Sequence, residues 1–137
     1  MIIDSHGHYT TAPAGVQIFR ATQITFMGSP VKHPVNVTDD QIRASLENGQ
    51  LKLQNERGTD VALFSPRASW MGHHFGGELI SRYWTEINND LIKRVCDIYP
   101  DRFIPVCSLP QSPGVPPERG VVQELERTVN EMGFVGC

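Results

Sequence analysis

The chain has 137 residues, 39% of them hydrophobic and 20% charged, with a formal net charge of −3. That length holds one sizeable core or a piece of a larger one, but not two ordinary domains. Lys and Arg are scattered, which excludes the basic footprint of a nucleic-acid binder, and no apolar run approaches the roughly eighteen residues of a membrane span.

The opening MIID is short, partly β-branched and followed at once by polar residues, which predicts a buried strand. Its apolar run stops at Asp4 and has no basic lead, so it does not read as a signal peptide, and the cytoplasm is the expected compartment. Residues 9–37 contain Pro13, Pro30 and Pro34 and predict a long irregular connection with only a weak helical patch around Val16 to Phe19. Thr38 and Gln41 have the spacing of a capping box, opening a helix with Ile42, Leu46 and Leu53 on one face and Gly58 at its end.

A second buried strand is predicted at Val61 to Phe64, broken by Pro66. The clearest periodicity in the chain follows, with Ile80, Trp84, Ile87, Leu91, Val95 and Ile98 at helical spacing up to Tyr99, where Pro100 stops it. RFIPVCSLP then predicts a third strand. Pro116 and Pro117 introduce a helix with Val122, Leu125, Val129 and Met132 on its apolar face, Gly133 closes it, and FVGC begins a fourth strand.

Strands alternating with helices imply parallel strands joined by crossover helices. Four strands are half of an eight-stranded (β/α)8 TIM barrel, whose usual length is about 250 residues. The expected fold is therefore α/β, the N-terminal half of such a barrel, with residues 1–137 a partial domain cut at the fourth strand. An open doubly wound sheet is the alternative.

His6 and His8 alternate as strand residues do, so a strand running through them points both imidazoles to one face. At the C-terminal mouth of a first barrel strand that face is where active sites assemble, and neutral imidazoles there suit a divalent metal, zinc above all. An isolated HxH also occurs in polar loops. Asp4 either orients a ligand imidazole or bonds local backbone. Ser65 and Arg67 follow the second strand. There Ser65 can give substrate a hydroxyl hydrogen bond, and Arg67 can hold a carboxylate or take part in a surface ion pair. His73 and His74 in the same loop can touch substrate or move protons, and exposed loop histidines are the plainer account. Asn89 lies within the periodic helix but off its main apolar face, as a solvated amide, a contact to a neighbouring loop, or a member of the substrate-binding set. Cys96, Cys107 and Cys137 form no CxxC pair and read as reduced thiols, the first two with core-like spacing. There is no phosphate loop and no GxSxG elbow.

Several stretches together, MIIDSHGHYTTAP, LKLQNERGTDVALFSPRAS, NDLIKRVCDIYPDRFIPVCSLPQSPGV and GFVG, resemble the N-terminal part of the 4-oxalomesaconate hydratases. These belong to the amidohydrolase superfamily, close to the aminocarboxymuconate semialdehyde decarboxylases. HxH and PDRF mark that wider branch, while HGHYTTAP, SPRAS and LPQSPGV point to the hydratases. The resemblance implies a (β/α)8 barrel with zinc at its mouth and His6 and His8 as the first two ligands. It implies a lyase that adds water to an unsaturated, multiply carboxylated keto acid in bacterial catabolism of protocatechuate or gallate, with further ligands and the acid–base group on later strands. A zinc-dependent decarboxylase or hydrolase of the superfamily is one alternative. A non-catalytic half-barrel needing a partner is another. Unpaired edges of half a barrel favour association with another chain, including a second copy, and the isolated chain is expected to be inactive.

Overall fold

A computed structural model describes residues 1–67, 70–72 and 75–137, so the expectations for His73 and His74 lie outside the described residues. In chain order the elements are β1 (Ile3–His8), α1 (Ala14–Thr25), α2 (Asp39–Glu47), α3 (Gln50–Arg57), β2 (Val61–Ser65), α4 (Glu78–Ile98), β3 (Phe103–Pro105) and α5 (Val121–Glu126). A 3-10 turn (Pro117–Arg119) precedes α5 and a π turn (Arg127–Glu131) follows it. The strands form a parallel sheet in the order β1-β2-β3, with Ile3 opposite Val61, His8 opposite Ser65 and Ala62 opposite Phe103.

The core lies between this sheet and the helices. Along β2, Ala62 and Phe64 point into it while Val61, Leu63 and Ser65 stay half-buried on the other face, the period of two that a pleated strand imposes. Phe64 sits at the centre, its ring 4.5 Å from Phe103 and 5.6 Å from Tyr9. Helix α4 buries Ile80, Trp84, Ile87, Leu91 and Val95 as its periodicity predicts, and Ile98 packs at the edge.

Helix α1 is longer than the weak patch expected. It buries Val16, Phe19 and Gln23 at helical spacing, and Phe19 stacks on Trp84 at 6.0 Å. Ile18 and Phe26, flanking that stripe, are exposed, so the sequence shows little contrast between its two faces.

The capping box at Thr38 and Gln41 is present. The single helix expected beyond it is two. Gly49 separates α2 from α3, and a Cβ there would come within 2.8 Å of Ser45 O and 2.9 Å of Thr11 Cγ2. The break shifts the helical phase, so Ile42 and Leu46 are buried while Leu53 is 46% exposed.

Three further expectations are corrected. Strand β1 begins exposed rather than buried, because it is the outer strand of the sheet and Ile2 and Ile3 have no neighbour on that side among the described residues. The segment FVGC is not a strand, although Val135 N–H donates to Pro105 O and Cys107 N–H to Gly136 O, which lays it beside β3. Of the apolar face expected for the last helical stretch, Leu125 and Met132 pack against the core, whereas Val122 and Val129 are exposed. Glu124 and Thr128 go inside instead, because Glu124 is bonded to Asn89 and Arg127.

A core centred on Phe64 predicts that Phe64→Ala loses about 3–5 kcal/mol, whereas Ile18→Ala at the exposed face of α1 stays within about 0.5 kcal/mol. Urea denaturation of both variants checks this, and equal losses would contradict it.

Candidate functional site

Strand β1 carries the histidines, and its approach to β2 depends on the residue between them. A Cβ at Gly7 would lie 2.8 Å from Leu63 O and 3.3 Å from the Phe64 ring. A side chain there would push the strands apart. The pairing is irregular between Asp4 and Gly7. His6 lies within that irregularity and His8 beyond it, and their rings meet edge to face with centroids 4.6 Å apart and Nε2 atoms 3.1 Å apart.

That separation fits two imidazoles sharing one ion at about 2.0–2.1 Å each, so the donor pair suits a divalent metal. Among the described residues no group of three or more His, Cys, Asp or Glu gathers in metal-binding geometry. The pair is part of a site, since a catalytic zinc normally takes three protein ligands.

The surroundings hold His8 more firmly than His6. Ser65 Oγ lies 2.6 Å from His8 Nδ1 and 3.2 Å from Gly7 O. Gln50 Nε2 donates to His8 O and to Thr10 Oγ1, and Tyr9 N–H donates to Ser65 O, so the chain leaving β1 is tied to both α3 and β2. Tyr9 is buried, and its hydroxyl bonds Ser45 Oγ at 2.7 Å. Burial pushes that phenol up to about 12, so it stays neutral across the physiological range. Asp4 takes the local course of its two readings, accepting from His6 N–H at 3.0 Å.

The histidines open into a cleft of about 630 Å³, walled by Ser65 and Leu63 on β2, Trp84 and Thr85 on α4, and Ser108 and Leu109 beyond β3. Helix α4 fixes that last wall at two points. Asn89 Nδ2 donates to Ser108 O while its Oδ1 accepts from Ser108 N–H, and Ser81 Oγ likewise bonds both the N–H and the O of Gln111. Asn89 is fully buried and also donates to Glu124 Oε1, and Arg127 grips both oxygens of Glu124 and one of Asp90. These carboxylates raise the already high basicity of Arg127, so the group stays charged.

Of the residues predicted for the site, the structure brings together His6, His8 and Ser65. Arg67 is not among the residues lining the cleft, and its guanidinium lies 5.1 Å over the Trp70 ring. Asn89 is a contact to a neighbouring loop, the second of its three readings, with its amide spent on protein partners. Sequence reasoning missed Gln50, Ser81 and Ser108. Ser81 had a visible signal, as one of the small polar residues on the helix that carries Asn89, while Gln50 and Ser108 had none. Cys107 lines the cleft beside Cys137, yet Cys96 and Cys107 are buried, as their spacing predicts.

Comparison with known proteins places this geometry. The amidohydrolase family model matches residues 3–137. A 2-keto-4-carboxy-3-hexenedioate hydratase of Sphingobium sp. (strain NBRC 103272 / SYK-6) is 45% identical over the whole chain, which covers 40% of that protein. The crystal structure of a 4-oxalomesaconate hydratase from Rhodopseudomonas palustris superposes with a TM-score of 0.88 at 43% identity, over 99% of this chain and 40% of that one. A dihydroxybenzoic acid decarboxylase from Polaromonas sp. JS666, solved with manganese and an inhibitor, shares the fold at a TM-score of 0.63 and 23% identity, over 99% of this chain and 37% of that one. The chain thus spans about 40% of the length of the hydratases it matches, and its three parallel strands with their helices correspond to the N-terminal part of an amidohydrolase barrel.

Burial pushes the Cys96 thiol up to about 12 and raises that of Cys107, while Cys137 is exposed. Higher values mean less thiolate near pH 8 and slower attack on a disulfide reagent. The folded chain is expected to release one rapid equivalent with an aromatic disulfide, and all three cysteines only in denaturant. Two rapid equivalents would contradict the burial.

Proposed function

Because the chain belongs to the amidohydrolase family, we propose that it supplies the His6 and His8 side of a divalent-metal site in a hydratase, one that adds water across the carbon–carbon double bond of an unsaturated, multiply carboxylated keto acid. The observation that carries this reading is the convergence of the two Nε2 atoms, 3.1 Å apart, at the C-terminal end of β1. The hydratase chemistry rests on the relatives at 45% and 43% identity, both hydratases of such acids. The decarboxylase alternative has at its side structures at 20–23% identity, which share the fold alone.

The metal is proposed to be zinc, the ion that neutral imidazoles suit best. When bound it supplies Lewis-acid polarisation of an oxygen. The chain's own residues bind and shape. His6 and His8 hold the ion, while β2 and the segment after β3 form the cleft that takes the acid. Remaining metal donors, the acid–base group and the cations for the carboxylates come from outside the described set. Arg67 is a candidate for a carboxylate only after its side chain leaves Trp70. A role in bacterial breakdown of aromatic acids follows from the same relatives, and no described helix is long and apolar enough to cross a membrane.

The test is calorimetric titration of the 137-residue chain with Zn(II), paired with the absorbance of a conjugated oxalomesaconate-type acid. Zinc binding is expected in the parent chain and lost in the His6→Ala, His8→Ala double variant. Unchanged binding in that variant would remove the metal reading. The parent chain alone is expected to leave the conjugated absorbance unchanged, and turnover by it would show that two imidazoles are enough.

A further inference from the structure

We infer that Ser65 is a positioning residue, which keeps the proton of His8 on Nδ1 and so presents the lone pair of Nε2 to the metal. The inference deepens the metal reading above and rests on it for its purpose, though not for its geometry.

Three contacts lie in a row. His6 Nε2 is 3.1 Å from His8 Nε2, His8 Nδ1 is 2.6 Å from Ser65 Oγ, and Ser65 Oγ is 3.2 Å from Gly7 O. A neutral imidazole has one N–H and one lone pair, a hydroxyl has one hydrogen, and a carbonyl only accepts. One arrangement gives every contact its own hydrogen. Ser65 O–H donates to Gly7 O, His8 Nδ1–H donates to Ser65 Oγ, and His6 Nε2–H donates to His8 Nε2. In the opposite arrangement Ser65 donates to His8 Nδ1, and the Ser65 and Gly7 oxygens then face each other with no hydrogen between them. Among the described residues, Pro66 O also lies 3.5 Å from the Ser65 hydroxyl, a longer contact than the one to Gly7 O.

The consequence is specific to His8. Its Nε2 already carries a lone pair in the metal-free chain, and only the proton on His6 Nε2 must move or leave when an ion arrives. Partners of this kind orient ligand imidazoles and raise their basicity, and losing one typically weakens metal binding about 10- to 100-fold. The backbone cooperates, because Tyr9 N–H holds Ser65 O while Gly7 brings β1 close enough for the hydroxyl to reach Gly7 O.

Long-range 1H–15N correlation spectra of the metal-free chain at about pH 8, where imidazoles are ordinarily neutral, read the tautomer directly. His8 is expected as the Nδ1–H form in the parent chain and in Ser65→Thr, which keeps the hydroxyl. It is expected to shift towards the Nε2–H form in Ser65→Ala. A parent spectrum showing His8 as Nε2–H overturns the inference by itself, whatever the variants do, and so does an Ala variant that keeps Nδ1–H. Titration with Zn(II) alone is expected to show about 10- to 100-fold weaker binding in the Ala variant than in the parent, with Ser65→Thr close to the parent. If the parent has the Nδ1–H form but binds no zinc, the metal reading fails and the proton assignment stands.

Discussion

The register between β1 and β2 is the constraint on which the rest depends. A parallel pair offers no short turn to set its alignment, and here 52 residues lie between the last residue of β1 and the first of β2. What sets the alignment is packing. Phe64 must enter the core between Phe103 and Tyr9, and Gly7 must lie against Leu63 O, where a Cβ does not fit. A slip of one residue would turn every side chain of one strand to the opposite face. It would place Phe64 in the cleft or turn His8 away from Ser65. The core and the histidine pair are therefore specified by the same few contacts.

Polar groups then extend that order beyond the sheet. Among the described residues the segment after β3 has no partner strand at Ser108, and its backbone groups bond side chains of α4, with Asn89 bonding both groups of Ser108 and Ser81 both groups of Gln111. Asn89 keeps its second Nδ2 hydrogen for Glu124, a carboxylate that is 4% exposed, and Arg127 neutralises Glu124 from the other side. Burying a charge is costly unless it is paired and hydrogen-bonded, and this one is both. One wall of the cleft is held by a relay that reaches solvent at Arg127, which explains why α5 turns Glu124 inward and leaves Val122 outside.

Features determined by near neighbours are legible in the sequence. The period of α4, the box at Thr38 and Gln41, and the alternation of His6 and His8 each depend on spacing along one element. Features determined by distant neighbours are not. Gly49 leaves the helical conformation where Ser45 O and Thr11, from another loop, leave no space for a side chain. Glu124 goes inside because Asn89 and Arg127 are there to receive it, and no periodicity carries that information. Helix α1 is hard to read for a different reason, since apolar residues on both faces erase the contrast on which amphipathic patterns depend. The order of strands and helices is robust to these local misreadings because it rests on the turns and apolar runs between them.

The two ends of the sheet are built from different materials. At the start of the strands, Arg102 donates to Asp60 O, Thr59 O, Gln54 Oε1 and Asn55 Oδ1, and Asp60 accepts from Ile2 N–H, so five contacts knit α3 to the starts of β1, β2 and β3. At the far end, where the strands finish, the same sheet opens into the cleft, and the polar groups there are imidazoles, hydroxyls and an amide held by backbone. In parallel barrels the first end stabilises and the second does chemistry. The distribution of charge follows that division here. The guanidinium of Arg102 is spent wholly on structure, whereas the polar groups at the cleft end include the His6 and His8 imidazoles and the Ser65 hydroxyl.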